Sequence, residues 1–175
     1  MSEIILAILF LISGFFMKYS DDFFDEKNNL MFASILGLIC GVACALATVS
    51  DVEAAYIFIA ILIGNLLALK IDGIHHIITL VIFIIICLIC GIPQISLVVL
   101  LICVLGVLAD EVGHETISKL TDNVFLNLFF EYRFVMKIVI LLLAVSGAFN
   151  LLTFVNFMLF EIGYTIAEIV FEKLN

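Results

Sequence analysis

The chain has 175 residues, a formal net charge of −9 and 66% hydrophobic residues. A mean hydropathy of +1.38 excludes an ordinary soluble domain, in which about half the residues are apolar. With seven basic residues against sixteen acidic ones, no basic patch is available to neutralise phosphates, which excludes a nucleic-acid binder.

The charged residues come in clumps, separated by apolar runs of roughly the bilayer-spanning length of about 20 residues. That pattern predicts an all-α, multi-span transmembrane helical bundle, with residues 1–175 forming a single integral membrane domain. The first predicted span, about 4–19, lacks a basic leading region and a small-x-small cleavage signature. It reads as a retained span and not as a signal peptide. Further spans are predicted at about 30–49, 52–69, 74–91 and 94–109, with Gly91 and the only proline, Pro93, marking the turn between the fourth and fifth. Residues 116–132 differ: Ile117, Leu120, Val124, Leu128 and Phe129 recur at helical spacing among Lys119, Asp122, Asn123, Asn127 and Glu131. They predict an amphipathic helix lying in the interface. The sixth and seventh spans, about 134–149 and 151–171, meet at Asn150.

With seven spans, every basic residue (Lys18, Lys27, Lys70, Lys119, Arg133, Lys137, Lys173) falls on or near one side, and the other carries only Glu3, Asp51 and Glu53. Lysine and arginine accumulate in cytoplasmic loops, so the expected topology puts the N-terminus outside and the C-terminus inside a cell membrane.

Four polar clusters share the side with the basic residues. Residues 20–29 read SDDFFDEKNN, 70–76 read KIDGIHH, 109–115 read ADEVGHE and 131–133 read EYR; all three histidines lie among them. Asp22 and Asp25, Asp72 and His75, and Glu111 and His114 are each three residues apart, a spacing that shares one helix face. Glu-x-x-His and Asp-x-x-His pairs on neighbouring helices are how bundle cores hold metal ions. Asp22, Asp25, Asp72, His75, Asp110, Glu111 and His114 are therefore the candidate metal ligands, and Glu111 and His114 the candidate general bases. Carboxylates alone suit Mg²⁺ or Mn²⁺, whereas added imidazole suits Fe, Zn or Mn. Lys70 and Arg133 are the cations placed to hold a phosphate-bearing substrate. The structural alternative is that these are solvated surface charges, with Asp110 and Glu111 capping the interfacial helix.

The run Asp21, Asp22, Asp25 and Asn29 also resembles the first aspartate-rich motif, Asn-Asp-x-x-Asp-x-x-x-Asp, of the UbiA-type intramembrane prenyltransferases, with Asp21 at the Asn place and Asn29 at the last Asp. Four spans later, residues 109–115 occupy the place of that family's second acidic motif. The resemblance implies a helical bundle with Asp22 and Asp25 as Mg²⁺ ligands, Asp110 and Glu111 as the second set, and an apolar tunnel for a prenyl diphosphate. It implies transfer of the prenyl chain to an aromatic or lipid acceptor. The chain departs from the pattern at Asn28, Asn29 and Leu30, where a basic pair is usual, at His114 and Glu115, and in having fewer spans.

Other residues carry lesser expectations. Cys87 and Cys90 form a C-x-x-C inside an apolar span with no neighbour to lower a thiol pKa. Glu161 sits near mid-span and needs a partner or a purpose. Lys137 is expected to pair with Glu168, Asn65 to bond between helices or line a cavity, and Gly37 and Gly41 to allow close helix packing. Together these predict a metal-dependent transferase or hydrolase at the cytoplasmic membrane edge, acting on a phosphorylated or diphosphorylated prenoid lipid. A di-metal oxidase or hydrolase, a cation transporter and a structural subunit of a membrane complex are the alternatives; homo-oligomerisation is left open.

Overall fold

The computed structural model describes residues 1–174, apart from the Ser118 side chain. Eight α-helices run in order: α1 (Glu3–Asp25), α2 (Leu30–Ser50), α3 (Val52–Leu67), α4 (Ile74–Cys90), α5 (Leu97–Leu120), α6 (Val124–Glu131), α7 (Phe134–Val145) and α8 (Leu151–Leu174). Short polar side chains start several of them. Ser2 accepts from the Ile5 N–H, Asn29 from Phe32, Asp51 from Glu53 and Ala54, and Asn123 from Phe125 and Leu126, each satisfying amides that a helix start leaves open. Gly91 (φ 77°) and Gly147 (φ 79°) turn the chain after α4 and α7.

Four helices are long and apolar enough to cross a membrane: α1, α2, α5 over Leu97–Ile117, and α8; α3, α4 and α7 are apolar but shorter. The outer surface is greasy, with Leu88, Ile89, Leu105 and Leu142 largely exposed. Exposed apolar area on that scale marks a protein that meets lipid or a partner.

Two differences from the sequence expectation bear on the charged end, beside shifts of a few residues at other helix ends such as α7, which stops at Val145. The acidic run at 20–25 is the last turn and a half of α1 and not a loop. The interfacial helix expected at 116–132 is divided: α5 continues to Leu120, and α6 begins only at Val124. The break has a local cause. Thr121 adopts an extended conformation (φ −151°), its hydroxyl accepts from the Asn123 N–H, and Asn123 then caps α6.

Each helix packs on its neighbours so that α1, α2, α3, α5, α7 and α8 close a ring, with α4 docked along α2 and α6 on α5. The α2–α4 contact is tight because Gly37 and Gly41 have no side chain. A Cβ at Gly37 would lie 2.7 Å from the His75 carbonyl oxygen, and one at Gly41 2.8 Å from that of Thr79. Thr79 locks the same crossing by donating its hydroxyl proton to the Gly37 and His75 carbonyls.

The turns sort into two ends. At one, Glu53 accepts from the Asn150 N–H and the Thr153 hydroxyl, the Ser96 N–H donates to the Tyr56 hydroxyl, and Tyr56 stacks on Phe149. At the other, Asp21 meets His75, Lys70 meets Glu115, and Arg133 meets Glu111. An apolar core containing Phe10, Phe58, Phe157 and Phe160 fills the middle of the ring. The charged end above it is hollow.

Candidate functional site

The hollow is a cavity of about 570 Å³, within the range of small-molecule sites. Its floor is apolar: Cys40, Cys44, Phe58, Phe83, Phe157 and Phe160. Its rim is charged. Nine carboxylates line it (Asp21, Asp22, Asp25, Asp72, Asp110, Glu111, Glu131, Glu161, Glu168) against three fixed cations, Lys18, Lys70 and Arg133. That imbalance means the rim repels itself unless something cationic joins it.

All nine residues singled out from the sequence line this one cavity: Asp22, Asp25, Lys70, Asp72, His75, Asp110, Glu111, His114 and Arg133. They do not form one cluster. Asp110, almost fully buried, accepts from the Val135 N–H at 2.9 Å and the Met136 N–H at 2.7 Å. It caps α7, whose own N-cap residue, Arg133, is held at φ 48° and offers no side-chain cap. The helix Asp110 caps is thus α7 and not the interfacial one. Glu111 accepts from Arg133 Nε at 2.8 Å. Lys70 Nζ lies 2.5 Å from Glu115.

On the opposite wall the carboxylates are freer. Among the described residues no lysine or arginine pairs with Asp21, Asp25 or Asp72. Asp22, 7% exposed, takes Lys18 on one oxygen at 2.9 Å, while its Oδ2 is buried without a partner. His75 Nε2 stands 3.0 Å from Asp21 Oδ1, and His76 Nε2 3.7 Å from the same oxygen. The His75 ring is fixed between Phe24 and His76, at centroid distances of 4.5 and 3.9 Å. Asp21, His75 and His76 are the one group of three potential metal ligands within 4.8 Å of one another among the described residues. Glu111 and His114 stand outside it.

Asp21 and His76 are the residues that helical spacing passed over. A three-residue period selects Asp22 with Asp25 and Asp72 with His75, because adjacent residues on a helix point about 100° apart. The first turn of α4 nonetheless stacks both histidine rings toward Asp21.

The charged rim continues into the bundle. Tyr164 lies beneath Lys18 (5.7 Å) and Arg133 (5.9 Å). Burial alone would lower the Arg133 pKa, but Tyr164 and Glu111 outweigh it and raise the pKa above its ordinary value. Glu161 is neutralised by Lys137 at 2.7 Å. The expected Lys137–Glu168 pair is therefore replaced, and Glu168 lies 3.8 Å from Lys18 instead. Asn65 lines the cavity. Cys87 and Cys90 do not line this cavity, and both are free thiols. Comparison with protein-family models, with curated proteins and with solved structures returned no match.

Proposed function

We propose that the chain is an integral membrane enzyme that acts on a phosphorylated or diphosphorylated prenoid-type lipid with the help of a divalent metal ion. In this reading α3, α4 and α7 also cross the bilayer, giving seven spans with α6 in the interface. The charged end faces the cytoplasm, where basic residues are retained.

The observation that carries the proposal is the division of one cavity into an acidic rim and an aromatic floor. An amphipathic ligand matches that division: its chain rests on Phe58, Phe157 and Phe160, and its head reaches the rim. A phosphate head alone would be repelled by Asp21, Asp25 and Asp72, which no lysine or arginine pairs with among the described residues, so this rim would favour a head group complexed with a metal ion. The wall bearing Asp21, Asp22, Asp25, Asp72, His75 and His76 has the donors to hold the ion, whose chemistry is to neutralise charge on a departing phosphate. The chain's own part is positional. Asp22 would present its unpaired oxygen beside Lys18, and Lys70 and Arg133, on the same rim, would face the head group, where fixed cations favour developing negative charge. The buried floor keeps water from the reactive end of the chain. The resemblance of residues 21–29 to the prenyltransferase motif agrees with such a substrate.

The test is release of phosphate or diphosphate from prenyl phosphates by protein purified in detergent, with Mg²⁺, Mn²⁺ or Zn²⁺. Asp22→Asn and Asp25→Asn should each reduce metal-dependent turnover by about a hundredfold or more, the scale lost with a strong electrostatic contact in a catalytic site. Absence of turnover with every divalent ion, in a folded preparation, contradicts the proposal. A second reading, cation transport, draws on the Lys137–Glu161 pair inside the bundle. Glu161→Gln separates the two, since it should abolish ion flux but leave lipid turnover in place.

A further inference from the structure

We propose that Asp21, Asp72, His75 and His76 form a centre for a transition-series divalent ion of the zinc class, held by two imidazoles and two carboxylates. The inference deepens the metal-dependent reading above by assigning the ion's chemistry and its ligands.

Three observations carry it. The first is spacing. Ligands at about 2.0–2.1 Å from one divalent ion stand about 2.9 Å apart in octahedral and about 3.3 Å apart in tetrahedral geometry, so atoms about 3–3.5 Å from one another can share an ion. The measured separations are 3.0 Å for His75 Nε2 to Asp21 Oδ1, 3.7 Å for His76 Nε2 to the same oxygen, and 3.9 Å for His76 Nε2 to Asp72 Oδ1. Asp72, whose side chain is 76% exposed, lies outside the Asp21–His75–His76 group and would complete the set by rotating toward His76, while the part-buried His75–Asp21 pair already sits at ligand spacing.

The second is donor chemistry. Imidazole nitrogen suits zinc, iron, copper or nickel, and Mg²⁺ takes oxygen. Two adjacent histidines facing one carboxylate are a poor magnesium site.

The third is charge. No lysine or arginine among the described residues answers Asp21 or Asp72. Beside Asp21, the Asp22 Oδ2 is buried in the same cavity with no hydrogen-bond partner. Lys18 answers only Oδ1 of that carboxylate, and a buried oxygen without a donor favours a cation or proton beside it.

Tag-free protein purified in detergent is titrated with Zn²⁺ in the presence of excess Mg²⁺. Bound metal is then counted by elemental analysis, and Co²⁺ serves as a visible-absorption probe of tetrahedral geometry. The expected result is one equivalent of Zn²⁺ that excess Mg²⁺ does not displace, with intense cobalt bands. His76→Ala and Asp21→Asn should weaken Zn²⁺ binding at least tenfold, with helical circular dichroism unchanged. His76 is the safer substitution because its side chain is partly exposed. Folded wild type that binds no Zn²⁺, or variants that bind it as well as wild type, overturn the inference and leave Asp21 and His75 as a hydrogen-bonded pair only. Lipid turnover with Mg²⁺ in such a zinc-free protein would keep the enzymatic reading; zinc binding without lipid turnover would keep the metal centre and remove that reading.

Discussion

Asp110 is the sharpest test of how the charged end is built. Its carboxylate accepts two backbone N–H bonds, from Val135 and Met136, at 2.9 and 2.7 Å, and its relative exposure is 2%. α7 has only twelve residues and no side-chain cap of its own, so Asp110→Ala leaves two buried amides open. A hydrogen bond to a charged group contributes about 1.5–3 kcal/mol. Two of them predict a loss of about 3–6 kcal/mol, or roughly two to four decades in the unfolding equilibrium. Asp110→Asn keeps one carbonyl acceptor and should lose about half as much. The assay is denaturant unfolding of detergent-solubilised protein followed by helical circular dichroism, with bound metal measured on the same samples. The capping account requires Asp110→Asn to lose stability while binding divalent metal to the same extent as wild type. A variant as stable as wild type but stripped of metal would refute it and return Asp110 to the ligand set.

Three further outcomes follow from the packing. Gly14→Ala should prevent close assembly of α1 on α8, because a Cβ there falls inside the van der Waals shell of the Phe160 carbonyl oxygen, and backbone cannot yield as a side chain does; loss of a monodisperse peak in size-exclusion chromatography reads it out. Lys137→Met should destabilise by about 3–5 kcal/mol by stranding Glu161, and Lys137→Met combined with Glu161→Gln should recover most of that loss in the same unfolding assay. Tyr56→Phe removes the acceptor of the Ser96 N–H and should cost about 1 kcal/mol, with metal content and lipid turnover unaffected.

Much of the charged end was legible in the sequence. Sorting Lys18, Lys70, Arg133 and Lys137 to one side also collected the acids that line the cavity, because segments separated by an even number of antiparallel helices lie at the same end of the bundle. Hydropathy placed the span ends poorly at α1 and α5. It marks where apolar side chains stop, whereas backbone hydrogen bonding carries both helices past that point, to Asp25 and Leu120. Gly37 and Gly41 behaved as their spacing predicted. The role of Asp110 was not legible, since a carboxylate that caps a helix 25 residues away has no local signature. Nor was the pairing of Lys137 with Glu161: depth counted from span ends favours Glu168, and the outcome depends on how α7 and α8 rotate against each other. Asp21 and His76 were missed for a related reason, because a helical period selects one face while the start of α4 presents two residues to one carboxylate.

The central claim is that the acidic rim and aromatic floor together seat a metal-bound phosphorylated lipid. Its most direct test is equilibrium binding of a short prenyl diphosphate to tag-free protein, with and without a divalent ion, in wild type and Asp22→Asn. The account predicts saturable binding by wild type that appears only with the metal and weakens at least tenfold in Asp22→Asn. Binding that ignores both the metal and Asp22, or no binding to a folded preparation, would contradict it.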